Sequence, residues 1–142
     1  MDLHEYQGKE LLSKYGVAVP AGKVAYTPDE AVDAAKSIRE STGRTNWVIK
    51  AQIHAGGRGK GGGVKLARDP DEVKEHAKNI LGMQLVTPQT GPGGKKVRKV
   101  LIAEDIYYPG NEEVTEIYMG VLLNRRSGRN MIMYSPKGGI DI

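Results

Sequence analysis

Trp47-Val48-Ile49-Lys50-Ala51-Gln52-Ile53-His54-Ala55-Gly56-Gly57-Arg58-Gly59-Lys60-Gly61-Gly62-Gly63 joins a strand-like run to a loop almost without side chains. Six of the eight residues from Gly56 to Gly63 are glycine, and the other two are cationic. Glycine reaches the φ > 0 conformations of a tightly curved loop and lets backbone N–H groups press against a ligand. Arginine and lysine beside those amides make an anion-binding surface, and phosphate is the commonest biological anion of that size. Lys50 lies inside the apolar run, where an ammonium costs free energy unless it meets an anion or snorkels to water. It reads either as a point charge on a nucleotide phosphate or as an edge-strand lysine in solvent.

Gly57-x-Gly59-x-x-Gly62 formally fits a dinucleotide fingerprint, but that motif needs a helix directly after it. Here Val64-Lys65-Leu66 is strand-like, and the next helix cap comes at Asp69. No Walker A pattern is present. A glycine-rich hairpin folded over phosphates, as in kinases, fits the flanks. Its rival is a flexible linker or an arginine-glycine tract contacting RNA, although linkers usually carry serine.

Working outward, Asp2 and Glu5 form a capping-box pattern before Leu3, Tyr6, Leu11, Leu12 and Tyr15, which predicts an amphipathic helix over 3–15, stopped by Gly16. Val17 to Tyr26 reads as a short extended stretch. Thr27, Pro28 and Glu30 open a second helix, with Ala31, Val32, Ala35 and Ile38 inward and Gly43 as its stop. A strand over 47–53 precedes the loop. Asp69-Pro70-Asp71-Glu72 caps a third helix over 70–81, ended by Gly82. The polar stretch Thr87 to Lys96, with Pro88, Gly91, Pro92, Gly93 and Gly94, is expected to break any regular element. A strand over 97–103 follows, then a hairpin of Val114–Leu123 and Met131–Tyr134 across the turn 124–130. Helices and strands mix without regular βαβ alternation, so the fold class is α+β. The last residues, Gly138-Gly139-Ile140-Asp141-Ile142, stop on two apolar residues at what reads as the start of another segment, so the chain reads as a piece of a longer one.

With 142 residues, 39% hydrophobic and 27% charged, the composition is that of an ordinary soluble globular protein. Cysteine is absent, which removes disulfides and thiolate metal sites and agrees with a reducing compartment. The start lacks a signal-peptide core and no run approaches about 20 apolar residues, so the expected location is the cytoplasm, with no membrane partner. A net charge of +4 suits a polyanionic ligand. Phenylalanine is missing and aromatics are 6%, poor material for stacking single-stranded bases.

Glu104 and Asp105 end a buried-looking strand and Glu116 opens the next. Carboxylates at such ends often bind ribose hydroxyls or base amino groups, but acidic residues there are mostly solvated turn residues. His4, His54 and His76 show no metal-ligand spacing, and no nucleophile–base pattern occurs. The turn carrying Arg125, Arg126 and Arg129 reads as a solvated tip.

Met1-Asp2-Leu3-His4-Glu5-Tyr6-Gln7, the block from Trp47 to Lys60, and Leu85-Val86-Thr87-Pro88-Gln89-Thr90 together resemble the β subunits of the succinyl-CoA synthetase family over about the first third of such a subunit. The resemblance implies an ATP-grasp fold, in which two α+β lobes clasp a nucleotide. The expected divisions are an entry segment (1–20), a first lobe with the phosphate loop (21–103), and a hinge with the start of the second lobe (104–142). It also implies the reversible conversion of succinate, CoA and ATP to succinyl-CoA, ADP and phosphate, a tricarboxylic acid cycle reaction, with an α subunit as partner. By the same resemblance Lys50, Gly57, Arg58 and Gly59 match phosphate contacts, and Glu104 and Tyr107 match the hinge beside base and sugar. Glu116 matches a further nucleotide-site carboxylate, and Pro20 a position near the base of the ATP-using type. The Mg²⁺ ligands, the succinate segment and the α-binding domain are expected beyond residue 142, and the phosphorylated histidine in the α subunit. About four extra residues around Tyr108-Pro109-Gly110-Asn111 depart from the family pattern. A related malate–CoA ligase subunit, or a small basic nucleic-acid-binding module using Arg58, Lys60 and the 125–129 turn, are the alternative readings.

Overall fold

The computed structural model describes residues 2–107 and 114–139. In chain order the elements are α1 (Glu5–Lys14), β1 (Gly22–Ala25), α2 (Pro28–Thr42), β2 (Trp47–Ala51), β3 (Val64–Ala67), α3 (Pro70–Ile80), β4 (Gln84–Leu85), β5 (Lys95–Lys96), β6 (Val100–Glu104), β7 (Tyr118–Asn124) and β8 (Arg129–Ser135). The chain forms two compact units, Met1–Tyr108 and Pro109–Ile142. Helix and strand are mixed as the α+β reading expects.

In the first unit β1, β6, β2 and β3 form one sheet in that order, with every pairing antiparallel. β2 alternates: Trp47, Ile49 and Ala51 are buried, while Val48 and Lys50 are half-buried. Successive side chains of a strand point to opposite faces, so Lys50 leaves the face that α2 and α3 cover. Its register partners there are Val64 of β3 and Leu101 of β6. The covered face packs Ile38, Val73 and Ile80 of the two helices against Ile49, Val100 and Ile102. Each such side chain contributes about 1.5–3 kcal/mol by leaving water.

The caps of α2 and α3 are those the sequence predicts. Thr27 accepts from the Glu30 amide and Asp69 from the Glu72 amide, with proline opening both helices. Gly43 closes α2 in the left-handed region at φ 72°. On α2 the inward residues are Ala31, Ala34, Ala35 and Ile38, so Ala34 takes the place expected of Val32. Helix α1 departs further. It starts at Glu5 with His4 as N-cap, and Gln7 Oε1, not an Asp2–Glu5 pair, accepts from the His4 N–H at 3.0 Å. None of its residues is buried, and Leu11, Leu12 and Tyr15 are exposed, so the predicted apolar face does not enter this core. The strand predicted over 97–103 is β6, displaced to Val100–Glu104 because Val97 turns aside to bond Met83. The stretch expected to lack regular structure holds β5, which pairs with β4.

The glycine loop is a tight turn between β2 and β3, not an open flap. Gly61 and Gly62 donate to the carbonyls of Gly57 and Gly59, Gly63 donates to Arg58, and Ala51 donates to Gly63. Only Gly57 (φ 71°) and Gly62 (φ 81°) need the left-handed region. Two others are glycine because of packing: a Cβ at Gly61 would lie against the Val86 carbonyl oxygen, and one at Gly63 would meet Leu85 Cδ2 at 2.6 Å. The loop is thus seated on Leu85–Gln89.

In the second unit β7 and β8 form an antiparallel hairpin, with Met119 facing Tyr134 and Val121 facing Ile132. The strand starts at Tyr118, so Glu116 lies before it and does not open it; the Glu116 carbonyl accepts from the Gly138 N–H at 2.8 Å. Among the described residues no helix is long and apolar enough to cross a membrane.

Two expected outcomes follow for the full-length protein under chemical denaturation. Ile102→Ala, at a fully buried site in a central strand, lowers stability by about 2–5 kcal/mol, whereas Leu66→Ala, at 62% exposure, costs far less. Gly61→Ala costs about 1–3 kcal/mol by overpacking, and Gly93→Ala, whose added Cβ meets nothing within 4 Å, stays within about 0.5 kcal/mol.

Candidate nucleotide site

Lys50 reaches from β2 toward the first turn of α1. Its Nζ lies 3.4 Å from Glu5 Oε1, which also receives Lys9 Nζ at 2.9 Å. The other oxygen of Glu5 accepts from Arg58 at 2.7 Å, and Arg58 donates a second hydrogen bond, 2.8 Å long, to the Ala51 carbonyl. One carboxylate therefore ties helix, strand and glycine loop together. Three cations share it, so the group keeps an excess of two positive charges. That excess, on a half-buried surface beside a glycine loop, attracts a polyanion.

Burial alone would raise the Glu5 carboxyl, but Lys50, Lys9 and Arg58 outweigh it and hold it down at about 2. Burial also acts on Lys50, lowering its ammonium; Glu5 pulls it back up, while Lys9 and Arg58 push it further down. Both partners move down because burial, with Lys9 and Arg58, outweighs Glu5 at the lysine, whereas three cations outweigh burial at the carboxylate. Glu5 stays ionised throughout the physiological range, and Lys50 is an unusually acidic lysine.

The amides of Gly56, Gly61, Gly62 and Gly63 are engaged, the first by Gln89 Oε1 at 2.6 Å. The amides of Gly57, Arg58 and Gly59 carry none of these bonds. Next to the loop His54 stacks on His4, with ring centroids 3.9 Å apart and planes 14° from parallel. Burial, followed by the charges of His54, Lys99 and Arg58, lowers the His4 pKa. Asp2, Glu5, His54, Gly56, Arg58 and Gln89 are among the residues lining a cleft of about 470 Å³ here.

A second cleft, about 740 Å³, opens between α1 and β1, with Tyr6, Lys9, Lys14, Pro20, Lys23 and Leu101 in its wall. Glu104 is bonded twice to Ala21, the residue after Pro20: Glu104 Oε1 accepts from the Ala21 N–H at 2.8 Å, and the Glu104 N–H donates to the Ala21 carbonyl. Lys9 lines this cleft and also bonds Glu5, which lines the first, so the two clefts adjoin at one charged group.

Of the residues singled out from the sequence, Lys50, Gly57, Arg58 and Gly59 stand together at the loop; Pro20 lines the second cleft, and Glu104 is bonded to the next residue, Ala21. The Tyr107 N–H is committed to Asp105 Oδ1 at 3.0 Å. Asp105 is 7% exposed and donates its N–H to the Asn46 carbonyl, so it is no solvated turn residue. Glu116 belongs to the second unit. Among the described residues no group of three or more His, Asp or Glu side chains is arranged to hold a metal ion.

Sequence reasoning missed Glu5, Gln52 and Gln89. Gln52, 3% exposed, joins the ends of the site by accepting from the Tyr6 N–H and donating to the Lys50 and Ala51 carbonyls. Glu5 was legible only as a helix-capping residue, and the polar tail of a predicted strand gives no sign that Gln52 is buried.

The profile of the ATP-grasp domain matches residues 2–142. The chain is 65% identical, over its whole length and 36% of that protein, to a succinate–CoA ligase (ADP-forming) β subunit of Flavobacterium johnsoniae. It is 57% identical, over its whole length and 35% of that protein, to the β subunit of Salinibacter ruber. It thus spans about a third of the length of these relatives. A solved acetyl-coenzyme A synthetase 1 from Ca. Korarchaeum cryptofilum, in complex with coenzyme A and Ca-AMPCP, shares the fold at a TM-score of 0.68 and 23% identity, over 94% of this chain and 52% of that one. The glycine turn, the cationic group on its flank and the match along nearly every residue lead to one conclusion: the chain belongs to the ATP-grasp family.

Proposed function

We propose that this chain is the nucleotide-binding portion of an ADP-forming succinate–CoA ligase β subunit. The observation that carries the reading is the cationic group of Lys9, Lys50 and Arg58 around Glu5, set against a glycine turn. The identity to β subunits supports the acid and the coenzyme, succinate and CoA, and supports an α subunit as partner.

In this reading the β- and γ-phosphates of ATP, or the β-phosphate of ADP, lie against Lys50 and the loop. Lys50 supplies a point charge. Arg58, already bonded to Glu5 and Ala51, adds positive field and holds the turn in shape. The amides of Gly57, Arg58 and Gly59 are the donors aimed at phosphate oxygens. Such preorganised charge stabilises a transferring phosphoryl group without covalent chemistry from the protein. Pro20 and Glu104 take the base and sugar end, with Tyr107 as a further contact there, and Glu116 is a further nucleotide-site carboxylate. Residues 1–20 serve as entry segment, 21–103 as first lobe, and 104–142 as hinge and start of the second. Magnesium, which neutralises the phosphates in such sites, takes its ligands from beyond residue 142 in this reading. No step of this chain passes through it. The location is the cytoplasm, the setting the tricarboxylic acid cycle.

A malate–CoA ligase β subunit would share every residue used here, and turnover measured with succinate and with malate separates the two. The nucleic-acid-binding alternative fares worse, because the chain matches an ATP-grasp domain along residues 2–142.

The test is Lys50→Ala in the full-length enzyme with its partner subunit. Nucleotide-dependent turnover falls by about 10²–10³-fold, the loss typical of removing one donor aimed at transition-state charge, while the thermal midpoint moves by a few degrees at most. Unchanged turnover removes Lys50 from the mechanism.

A further inference from the structure

Helix α1 buries none of its own residues, yet its first turn is fixed to the sheet and loop by polar contacts. The Tyr6 N–H meets Gln52 Oε1 at 3.4 Å, Lys99 Nζ meets the Tyr6 hydroxyl at 3.4 Å, and His4 stacks on His54. The strongest of these ties is Glu5. The helix cap does not need its side chain, because Gln7 serves the His4 amide. Both carboxylate oxygens are free to point at cations, and each takes a different one of the two residues assigned to phosphate: Oε1 takes Lys50, and Oε2 takes Arg58. A carboxylate bridging two cations on separate elements fixes the distance between them.

Resting on the nucleotide-phosphate reading above, we propose that Glu5 is the positioning residue of this site, a carboxylate that aims Lys50 and Arg58 at a nucleotide's terminal phosphate without touching the nucleotide itself. A second consequence concerns protonation. Burial and the neighbouring Lys9 and Arg58 all favour loss of the Lys50 proton, and Glu5 is the group that opposes them. His4 and Lys9 face this group from α1 and its cap, His54 and Arg58 from the loop, and Lys99 from the residue before β6; the register partners Val64 and Leu101 are apolar. With Glu5 neutral, only cations and burial act on Lys50, so its ammonium form is lost at lower pH. The point charge of Lys50 is then lost on the alkaline side, while Lys9 and Arg58 keep theirs.

The experiment compares wild type, Glu5→Gln, Glu5→Asp and Lys50→Ala in the full-length protein, measuring binding of ADP and of adenosine from pH 6 to 10 by calorimetry. Glu5→Gln weakens ADP about tenfold, or about 1.4 kcal/mol of binding free energy, and moves the alkaline loss of ADP binding to lower pH. Adenosine, which has no phosphate, binds as before. Glu5→Asp keeps the charge one methylene further back and restores the pH profile in part. Unchanged or tighter ADP binding in Glu5→Gln overturns the proposal, and so does an equal loss of ADP and adenosine, which would mark Glu5 as a mere support of the fold. If Lys50→Ala leaves ADP binding intact, the phosphate reading itself fails, and the proposal with it. Loss in Lys50→Ala with none in Glu5→Gln sinks the positioning role alone.

Discussion

Everything at this site depends on the alternation of one central strand. β2 lies between β6 and β3 and puts Trp47, Ile49 and Ala51 beneath α2 and α3, which leaves Lys50 no choice but the opposite face. A shift of one residue in register would bury the ammonium among isoleucines and expose the tryptophan. The hydrophobic core is therefore what aims the lysine. The apolar packing that stabilises the sheet by several kcal/mol holds a charge at a fixed depth on the other side of it.

The cost of that depth is offset locally. Lys50 is half-buried beside two other cations, a cluster that would repel itself without Glu5. The carboxylate comes from the one helix that adds nothing to the core, so α1 serves as a carrier of charge more than as a packing element. Its pairing leaves a positive surplus, which separates a binding site from a structural ion pair. A fully neutralised cluster would rigidify the fold and attract nothing.

The glycine turn shows how a composition can be read correctly for a partly wrong reason. Its richness in glycine suggests a pliant flap over phosphates. Most of the turn is instead pressed against Leu85–Gln89, and Gly61 and Gly63 are small because carbonyl and leucine atoms occupy the space of a Cβ. Close packing and an anion-binding turn draw on the same residue, because each needs the backbone to approach something closely. Only the neighbouring segment tells them apart, and it lies more than twenty positions away in the chain.

Local signals decided local structure. Thr27-Pro28 and Asp69-Pro70 announced two helices, Gly43 and Gly82 their ends, and the apolar run over 47–53 a strand, because caps, turns and β-forming runs act within a few residues. The lysine within that strand and the arginine within that loop were equally plain as candidates. Tertiary structure alone decided what they meet. Glu5 looked like half of a capping box until His4 and Gln7 took that role, Gln52 looked like the ragged end of a strand, and Asp105 looked solvated. The contacts that decide the three roles join distant positions, Glu5 to Arg58, Tyr6 to Gln52 and Asn46 to Asp105, and a bond between distant positions leaves no periodicity to read. The sequence determined which residues carry charge and which segments bend; the folded chain determined which charges share a carboxylate, since only packing brings them within 4 Å.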